Sequence, residues 1–150
     1  MHLIDTSAWI EYLRATGSSA DAEVARLIEA NAPIATTEPV IMELLAGARD
    51  AGNFRRLTAM TGGLPLMRVD PACDYHEAAA IFRLARTGGK TIRSMADCLI
   101  AAVGLRRDAT VVHCDADFDV IASCVPLRTL SLPPGTAATA AATAPGTERI

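Results

Sequence analysis

Short apolar segments that resemble β-strands alternate along this chain with longer segments of helical periodicity. The strand-like segments are residues 2–5, 33–37, 64–69, 110–113 and 127–130. Strands that alternate with helices form a parallel sheet, because each helical crossover brings the next strand back in the same direction. The sequence therefore predicts an α/β fold whose mostly parallel sheet is covered by helices on both faces. In such folds the functional site lies at the carboxyl ends of the strands.

Three acidic residues stand out against apolar surroundings. Asp5 ends the first predicted strand, Glu43 is the only charged residue between Pro39 and Arg49, and Asp97 is the only one within residues 95–105. Carboxylates are rarely buried unless a partner offsets their charge. No basic residue is adjacent to Glu43 or Asp97 in the sequence. A single cation bound by all three acids would explain why each of them lies in apolar surroundings.

Each acid also has a purely structural explanation. Asp5 is a candidate N-cap for the first helix, and Ser94-x-x-Asp97 has the spacing of a capping box. Glu43 is compatible with a narrow exposed helix face beside Gly47, four residues later. These explanations remain open at this point, and a first-turn carboxylate such as Asp97 can cap a helix and bind a cation.

A further acidic cluster, Asp115-Ala116-Asp117-Phe118-Asp119, directly follows the predicted strand at residues 110–113. An acid-rich helix start explains it without any function. A calcium-binding EF-hand loop is excluded, because its glycine and glutamate positions are occupied by Val120 and Pro126. Taken with Asp5, Glu43 and Asp97, the cluster predicts a metal-dependent phosphodiesterase.

The acids are suited to Mg²⁺, which prefers oxygen ligands and binds through few carboxylates together with substrate phosphates. Two such ions, roughly 3.5–4 Å apart, can activate a water and stabilise the leaving oxygen. Thr6 and Ser7 are candidates on the substrate side of the site, where a hydroxyl can orient a ligand or a metal-bound water.

Basic residues are concentrated in residues 78–96, which contain no acid. Arg86, Lys90 and Arg93 flank a predicted mobile Gly88-Gly89 break and are candidates for contacts with nucleic-acid phosphates. A solvated helix face is the competing explanation. The net charge of −3 and the pI near 5.5 argue against bulk attraction to nucleic acid but permit a local basic patch.

Length and patterning favour one domain followed by a flexible Ala/Thr/Pro/Gly tail at residues 133–150. No apolar run is long enough to span a bilayer, and the N-terminus lacks the features of a signal peptide. We therefore expect a cytoplasmic protein without a membrane partner. The four cysteines form no C-x-x-C pair, which favours free, buried thiols over a zinc site.

Four motifs occur in a diagnostic order: Asp5-Thr6-Ser7-Ala8-Trp9-Ile10, Glu43-Leu44-Leu45-x-Gly47, Asp97-Cys98-Leu99-Ile100-Ala101-Ala102 and Asp115-x-Asp117-Phe118. With them, residues 1–132 resemble the PIN-domain family, in particular the VapC-type toxins of bacterial toxin–antitoxin pairs. The resemblance implies a three-layer α/β/α fold. It also implies a Mg²⁺- or Mn²⁺-dependent endoribonuclease that cleaves structured RNA, either a transfer or a ribosomal RNA.

The same resemblance implies a homodimer that a VapB-like antitoxin neutralises. It assigns Asp5, Glu43, Asp97 and Asp115 to the family's catalytic and metal-binding quartet, with Asp117 sharing or replacing the role of Asp115. Trp9, Ile10 and Leu13 form an apolar stripe in the predicted first helix. We expect the antitoxin to bind along this stripe, with an arginine entering the acidic pocket.

Two other functions fit the sequence less well. A phosphotransferase with Asp5 as nucleophile is disfavoured, because phosphatases of the haloacid-dehalogenase type place a second Asp two residues later, where this chain has Ser7. A receiver-like binding module with Asp70 as phosphoacceptor is disfavoured, because Asp70-Pro71 is better explained as the start of a helix reaching about Ala85.

Overall fold

A computed structural model describes residues 1–133 and confirms the α/β fold. Within this range the elements are β1 (His2–Ile4), α1 (Thr6–Leu13), α2 (Ser19–Glu29), β2 (Ile34–Ala35), α3 (Glu38–Ala46), α4 (Ala51–Gly62), α5 (Asp74–Thr87), α6 (Met95–Arg106), β3 (Thr110–His113), α7 (Ala116–Ala122) and β4 (Arg128–Ser131). The ends of the four strands lie within two residues of their predicted positions.

The strands form one parallel sheet in the order β2-β1-β3-β4. Leu3 and Ile4 in β1 are completely buried, as are Val111 and Val112 in β3. Consecutive strand residues point to opposite faces, so both faces of the sheet are covered. The protein therefore has the predicted three layers, with the two central strands, β1 and β3, side by side.

The predicted strand at residues 64–69 is wrong. Only an isolated bridge between Thr36 and Leu66 forms there. The Thr36 amide donates to the Pro65 carbonyl at 2.9 Å, and the Met67 amide donates to the Thr36 carbonyl at 2.8 Å. Pro65 has no amide hydrogen to donate, which limits the pairing of this segment with β2.

The predicted helix start at Asp70-Pro71 is also wrong, because α5 begins at Asp74. The Asp70 side chain accepts a hydrogen bond from the Ala72 amide, so it stabilises a turn that precedes the helix. Asp74 is buried, and its two carboxylate oxygens accept hydrogen bonds from Nε and Nη2 of Arg106, at 2.8 and 2.7 Å. This pair ties the start of α5 to the end of α6.

All four cysteines are free, as predicted, but only Cys98 is buried. Cys114 and Cys124 are partly exposed and Cys73 is exposed, so the prediction of buried thiols is wrong for three of them. None of the helices in residues 1–133 has the length and apolar character required to cross a membrane.

The proposed tail lies outside the described residues except for Pro133. The carbonyl of Pro133 accepts a hydrogen bond from the Ser19 hydroxyl at 3.2 Å.

Candidate active site

The carboxyl ends of β1 and β3 bring the first acids together. Asp5 directly follows β1 and Asp115 lies two residues after the end of β3. Because the two strands are parallel neighbours, both residues lie at the same edge of the sheet. Each also begins a helix: Asp5 accepts from the Ser7 amide, and Asp115 accepts from the Asp117 amide. The capping explanation and the placement in the site are therefore both correct for Asp5.

Asp97 reaches the same edge from the first turn of α6. The predicted capping box forms only in part: the Ser94 hydroxyl accepts from the Asp97 amide at 3.4 Å, but the Ser94 amide donates to Asp117 at 3.2 Å. Asp117 takes the capping position predicted for the Asp97 carboxylate. Asp97 is consequently available to the site, although its side chain is almost fully buried.

Glu43 completes the acidic set from α3. Its carboxylate accepts a hydrogen bond from the Thr6 hydroxyl at 2.5 Å. The Ser7 hydroxyl donates to Asp5 at 2.5 Å and accepts from the Cys114 amide at 3.0 Å. Both hydroxyls therefore hold carboxylates in position, a contact that differs from the substrate contact predicted for Thr6 and Ser7.

All of these groups line one cavity of about 340 Å³. Its lining residues are Asp5, Thr6, Ser7, Ile10, Glu43, Arg93, Ser94, Asp97, Asp115 and Asp117. The cavity thus contains the five acids assigned to the catalytic set, whereas Asp119, the last acid of the cluster, does not line it. Ile10 and Ser94 also line the cavity, although the sequence had not assigned them to the site. The N-cap position of Ser94 was the available sequence signal for its place beside Asp97.

Two of the acids, Asp5 and Asp97, have raised pKa values, and burial is the main cause for both. Burial raises the pKa of Asp5 to about 6, although hydrogen bonds from Ser7 oppose the shift. Burial, followed by the charges of Asp5, Asp115, Asp117 and Glu43, raises the pKa of Asp97 to about 8. A cation in the cavity would reverse these shifts, because it favours the ionised form of every carboxylate around it.

Three of the carboxylates are close enough to share one ion. Oxygen atoms of Asp97, Asp115 and Asp117 lie within 4.8 Å of one another. One buried oxygen of Asp5, Oδ1, has no hydrogen-bond partner among the described residues. An all-oxygen donor set with an unsatisfied buried carboxylate oxygen fits a hard divalent cation such as Mg²⁺ or Mn²⁺. Asp5 and Glu43 line the same cavity but lie outside this closest group.

The three basic residues predicted to contact phosphates are arranged differently from one another. Arg93 is at the site, where its guanidinium contacts Asp115 at 2.6 Å and Asp117 at 3.0 Å. Lys90 is exposed and donates to the Ser123 hydroxyl at 2.5 Å. Arg86 is exposed in the last turn of α5. Neither Lys90 nor Arg86 lines the acidic cavity, and their contact with RNA stays a prediction.

Comparisons with known proteins agree with this architecture. A sequence model of the PIN domain matches residues 2–123. Ribonuclease VapC11 of Mycobacterium tuberculosis is 53% identical over 132 residues, which cover 87% of this chain and 98% of that protein. VapBC2 of Rickettsia felis, in a crystal structure with a promoter DNA fragment, aligns with a TM-score of 0.69 at 18% identity, covering 87% and 97% of the two chains. The sarcin-ricin loop cleaving toxin VapC20 of M. tuberculosis aligns with a TM-score of 0.61 at 20% identity, covering 85% and 99%.

These matches decide between the functions considered from the sequence. The PIN match spans residues 2–123 and therefore includes all five acids of the cavity. The two solved structures support the fold alone, and the identity to VapC11 supports the closer relationship. The chain therefore belongs to the PIN-domain family, among its VapC ribonucleases.

Proposed function

We propose that residues 1–132 form a metal-dependent endoribonuclease, the toxin of a toxin–antitoxin pair, which cleaves a structured cytoplasmic RNA. The observation that carries this proposal is the group of carboxylates from Asp97, Asp115 and Asp117, whose oxygens lie within 4.8 Å of one another. The relationship to VapC11 supplies the ribonuclease class. The RNA is a transfer or a ribosomal RNA; VapC20, whose fold this chain shares, is itself described as a sarcin-ricin loop cleaving toxin.

The metal is Mg²⁺, with Mn²⁺ as the alternative. Asp97, Asp115 and Asp117 would hold it, with Asp5 and Glu43 completing the negative wall of the cavity. Held there, such an ion would supply the Lewis acidity that activates a water and stabilises a leaving oxygen. The raised pKa of Asp97, about 8, means that binding the ion also releases a proton near neutral pH.

The hydroxyls of Thr6 and Ser7 keep the acids in place during this chemistry. Thr6 fixes Glu43, and Ser7 fixes Asp5 while it is itself held by the Cys114 amide. Such supporting hydrogen bonds restrict a carboxylate to one orientation and typically change activity by about 10–100-fold when removed. Thr6 and Ser7 therefore act on the substrate through the acids that they position.

Arg86 and Lys90 are proposed to contact RNA phosphates beyond the cavity. Both are exposed, and neither forms an ion pair among the described residues. Replacing both by glutamine should weaken RNA binding and reduce the slope of log affinity against log salt by about 0.7 for each lost contact. An unchanged slope would show that both residues lie on a solvated surface and do not contact RNA.

A VapB-like antitoxin is proposed to bind a small groove next to the acids. The groove, about 170 Å³, is lined by Ile10, Leu13, Arg14, Glu43, Leu44, Gly47, Arg49, Asn53 and Leu57. Two of these residues, Ile10 and Glu43, also line the acidic cavity. A partner helix in the groove would thus bring an arginine within reach of the carboxylates. Trp9 is buried and fills the core, so Ile10 and Leu13 are the residues of the predicted stripe that line this groove.

A homodimer is proposed to form through a second, apolar groove. It is lined by Glu38, Pro39, Met42, Val69, Pro71, Tyr75, Ala78, Met95, Ala96 and Leu99. Met42, Tyr75 and Met95 expose about half of their surface or more, at 60%, 56% and 49%. Light scattering on the purified protein tests this directly, because Met42→Glu should produce monomers while the exposed Met1→Glu should not.

RNA cleavage by the purified protein is the test of the proposed function. We expect the wild type to cleave structured RNA with Mg²⁺ or Mn²⁺ and to stop when EDTA is added. Asp97→Asn should be inactive. Asp119→Asn is the control: Asp119 belongs to the acidic cluster that begins at Asp115, but it lies outside the cavity, so this variant should remain active. Cleavage by Asp97→Asn at the wild-type rate would contradict the proposal.

A further inference from the structure

Arg93 supplies the one guanidinium that lines the acidic cavity in residues 1–133. One of its terminal nitrogens, Nη2, donates to Asp115 at 2.6 Å, and its Nε donates to Asp117 at 3.0 Å. It therefore bridges two of the three carboxylates whose oxygens are close enough to hold one ion. The pairing spans 22 and 24 residues of sequence and joins the segment before α6 to the start of α7.

The guanidinium is not required to hold Asp117 in place. The backbone amides of Arg93 and Ser94 donate to Asp117 Oδ2 at 2.6 and 3.2 Å, independently of the side chain. Asp115 is likewise held by the Asp117 amide at 2.9 Å. The Arg93 side chain is 67% exposed, so it can leave the cavity without opening the core.

A guanidinium and a divalent cation would both bind to the oxygens of these carboxylates. Each neutralises the repulsion among Asp97, Asp115 and Asp117, and each uses carboxylate oxygens as its partners. The two cations also repel each other, so strong binding of one weakens binding of the other. The site therefore has an internal competitor for its metal.

We propose that in the metal-free protein the Arg93 side chain is an internal cation that pairs with Asp115 and Asp117, and that a divalent metal displaces it on binding. The proposal rests on the proposed function only for the presence of a metal. The displaced guanidinium stays tethered at the edge of the cavity, where it is free to contact an RNA phosphate. Metal binding thus releases the positive charge of Arg93 for contact with the RNA.

Isothermal titration of the chelator-treated protein with Mn²⁺ alone tests this competition. Arg93→Gln should bind Mn²⁺ about tenfold more tightly than the wild type, within the usual range of coupling between two ligands. Arg26→Gln is the matched control, because it removes an exposed arginine that pairs with Glu23 at 2.6 Å away from the site. This control should bind Mn²⁺ like the wild type.

Unchanged or weaker Mn²⁺ binding by Arg93→Gln would overturn the proposal, since it would show that Arg93 has no effect on metal binding or favours it. If Arg93→Gln does not fold, Arg93→Lys replaces it: a single ammonium cannot reproduce the two-acid bridge, so binding should again be tighter. The measurement contains no RNA. A protein that shows the competition but cleaves no RNA would contradict the proposed function alone.

Discussion

Replacing Asp97 by asparagine should stabilise the metal-free protein at neutral and alkaline pH. Burial and the neighbouring carboxylates raise the pKa of Asp97 from 3.8 to about 8. An acid whose pKa is raised by folding keeps its proton in the folded state after the unfolded chain has lost it. The contribution of Asp97 to the free energy of unfolding therefore falls as the pH rises from about 4 to about 8, and it stays low above that range.

The size of the effect follows from the same shift. One pKa unit corresponds to about 1.4 kcal/mol, so the whole shift sets an upper bound of about 6 kcal/mol at pH 8. Solvent at the mouth of the cavity screens the carboxylates, and asparagine loses a favourable helix-dipole interaction of about 0.3–1 kcal/mol. We expect a net stabilisation of about 2 kcal/mol, which raises the Tm by about 4–8 °C.

Calorimetry in EDTA between about pH 5 and about pH 8 measures this difference. The gap in Tm between Asp97→Asn and the wild type should widen as the pH rises. Asp119→Asn is the matched control, because the Asp119 side chain is 56% exposed and lies outside the cavity. Its Tm should follow the wild type throughout. Parallel Tm profiles for Asp97→Asn and the wild type would refute the reasoning about the cavity.

Two other substitutions test the support of the site and the packing beneath it. Thr6→Val should reduce the rate of RNA cleavage by about tenfold or more, because Glu43 loses its 2.5 Å hydrogen bond. Thr6→Ser keeps the hydroxyl and should therefore cleave RNA at the wild-type rate. Equal rates for Thr6→Val and the wild type would contradict this role of Thr6. Gly104→Ala should lower the free energy of unfolding by about 1 kcal/mol, since its Cβ would lie 3.1 Å from Val111 Cγ2. Gly62→Ala, which meets no atom within 4 Å, should cost nothing in a denaturant titration.

The location of the acids was predictable because it depends on local rules. Asp5 and Asp115 each follow a short apolar strand, and parallel strands end at one edge of the sheet. Asp97 and Glu43 are the only charges in apolar helical segments, and this isolation already suggested a shared site. Chain order and strand direction were sufficient to bring these acids to one cavity.

The contacts that orient the acids were not predictable, because they join distant segments. The hydrogen bond from Thr6 to Glu43 spans 37 residues, and nothing near either residue indicates it. The pairing of Arg93 with Asp117 depends on how the segment after α5 passes α7. The failed strand at residues 64–69 has a different cause: its apolar pattern indicated a strand, but Pro65 limits its pairing.

The central claim is that Asp97, Asp115 and Asp117 hold the divalent metal of a ribonuclease. A crystal structure with Mn²⁺, located by its anomalous scattering, tests that claim most directly. We expect an anomalous peak bonded to oxygens of these three carboxylates, with the Arg93 guanidinium moved away from Asp115 and Asp117. A cavity without an anomalous peak in crystals saturated with Mn²⁺, or a peak held by other residues, would contradict it.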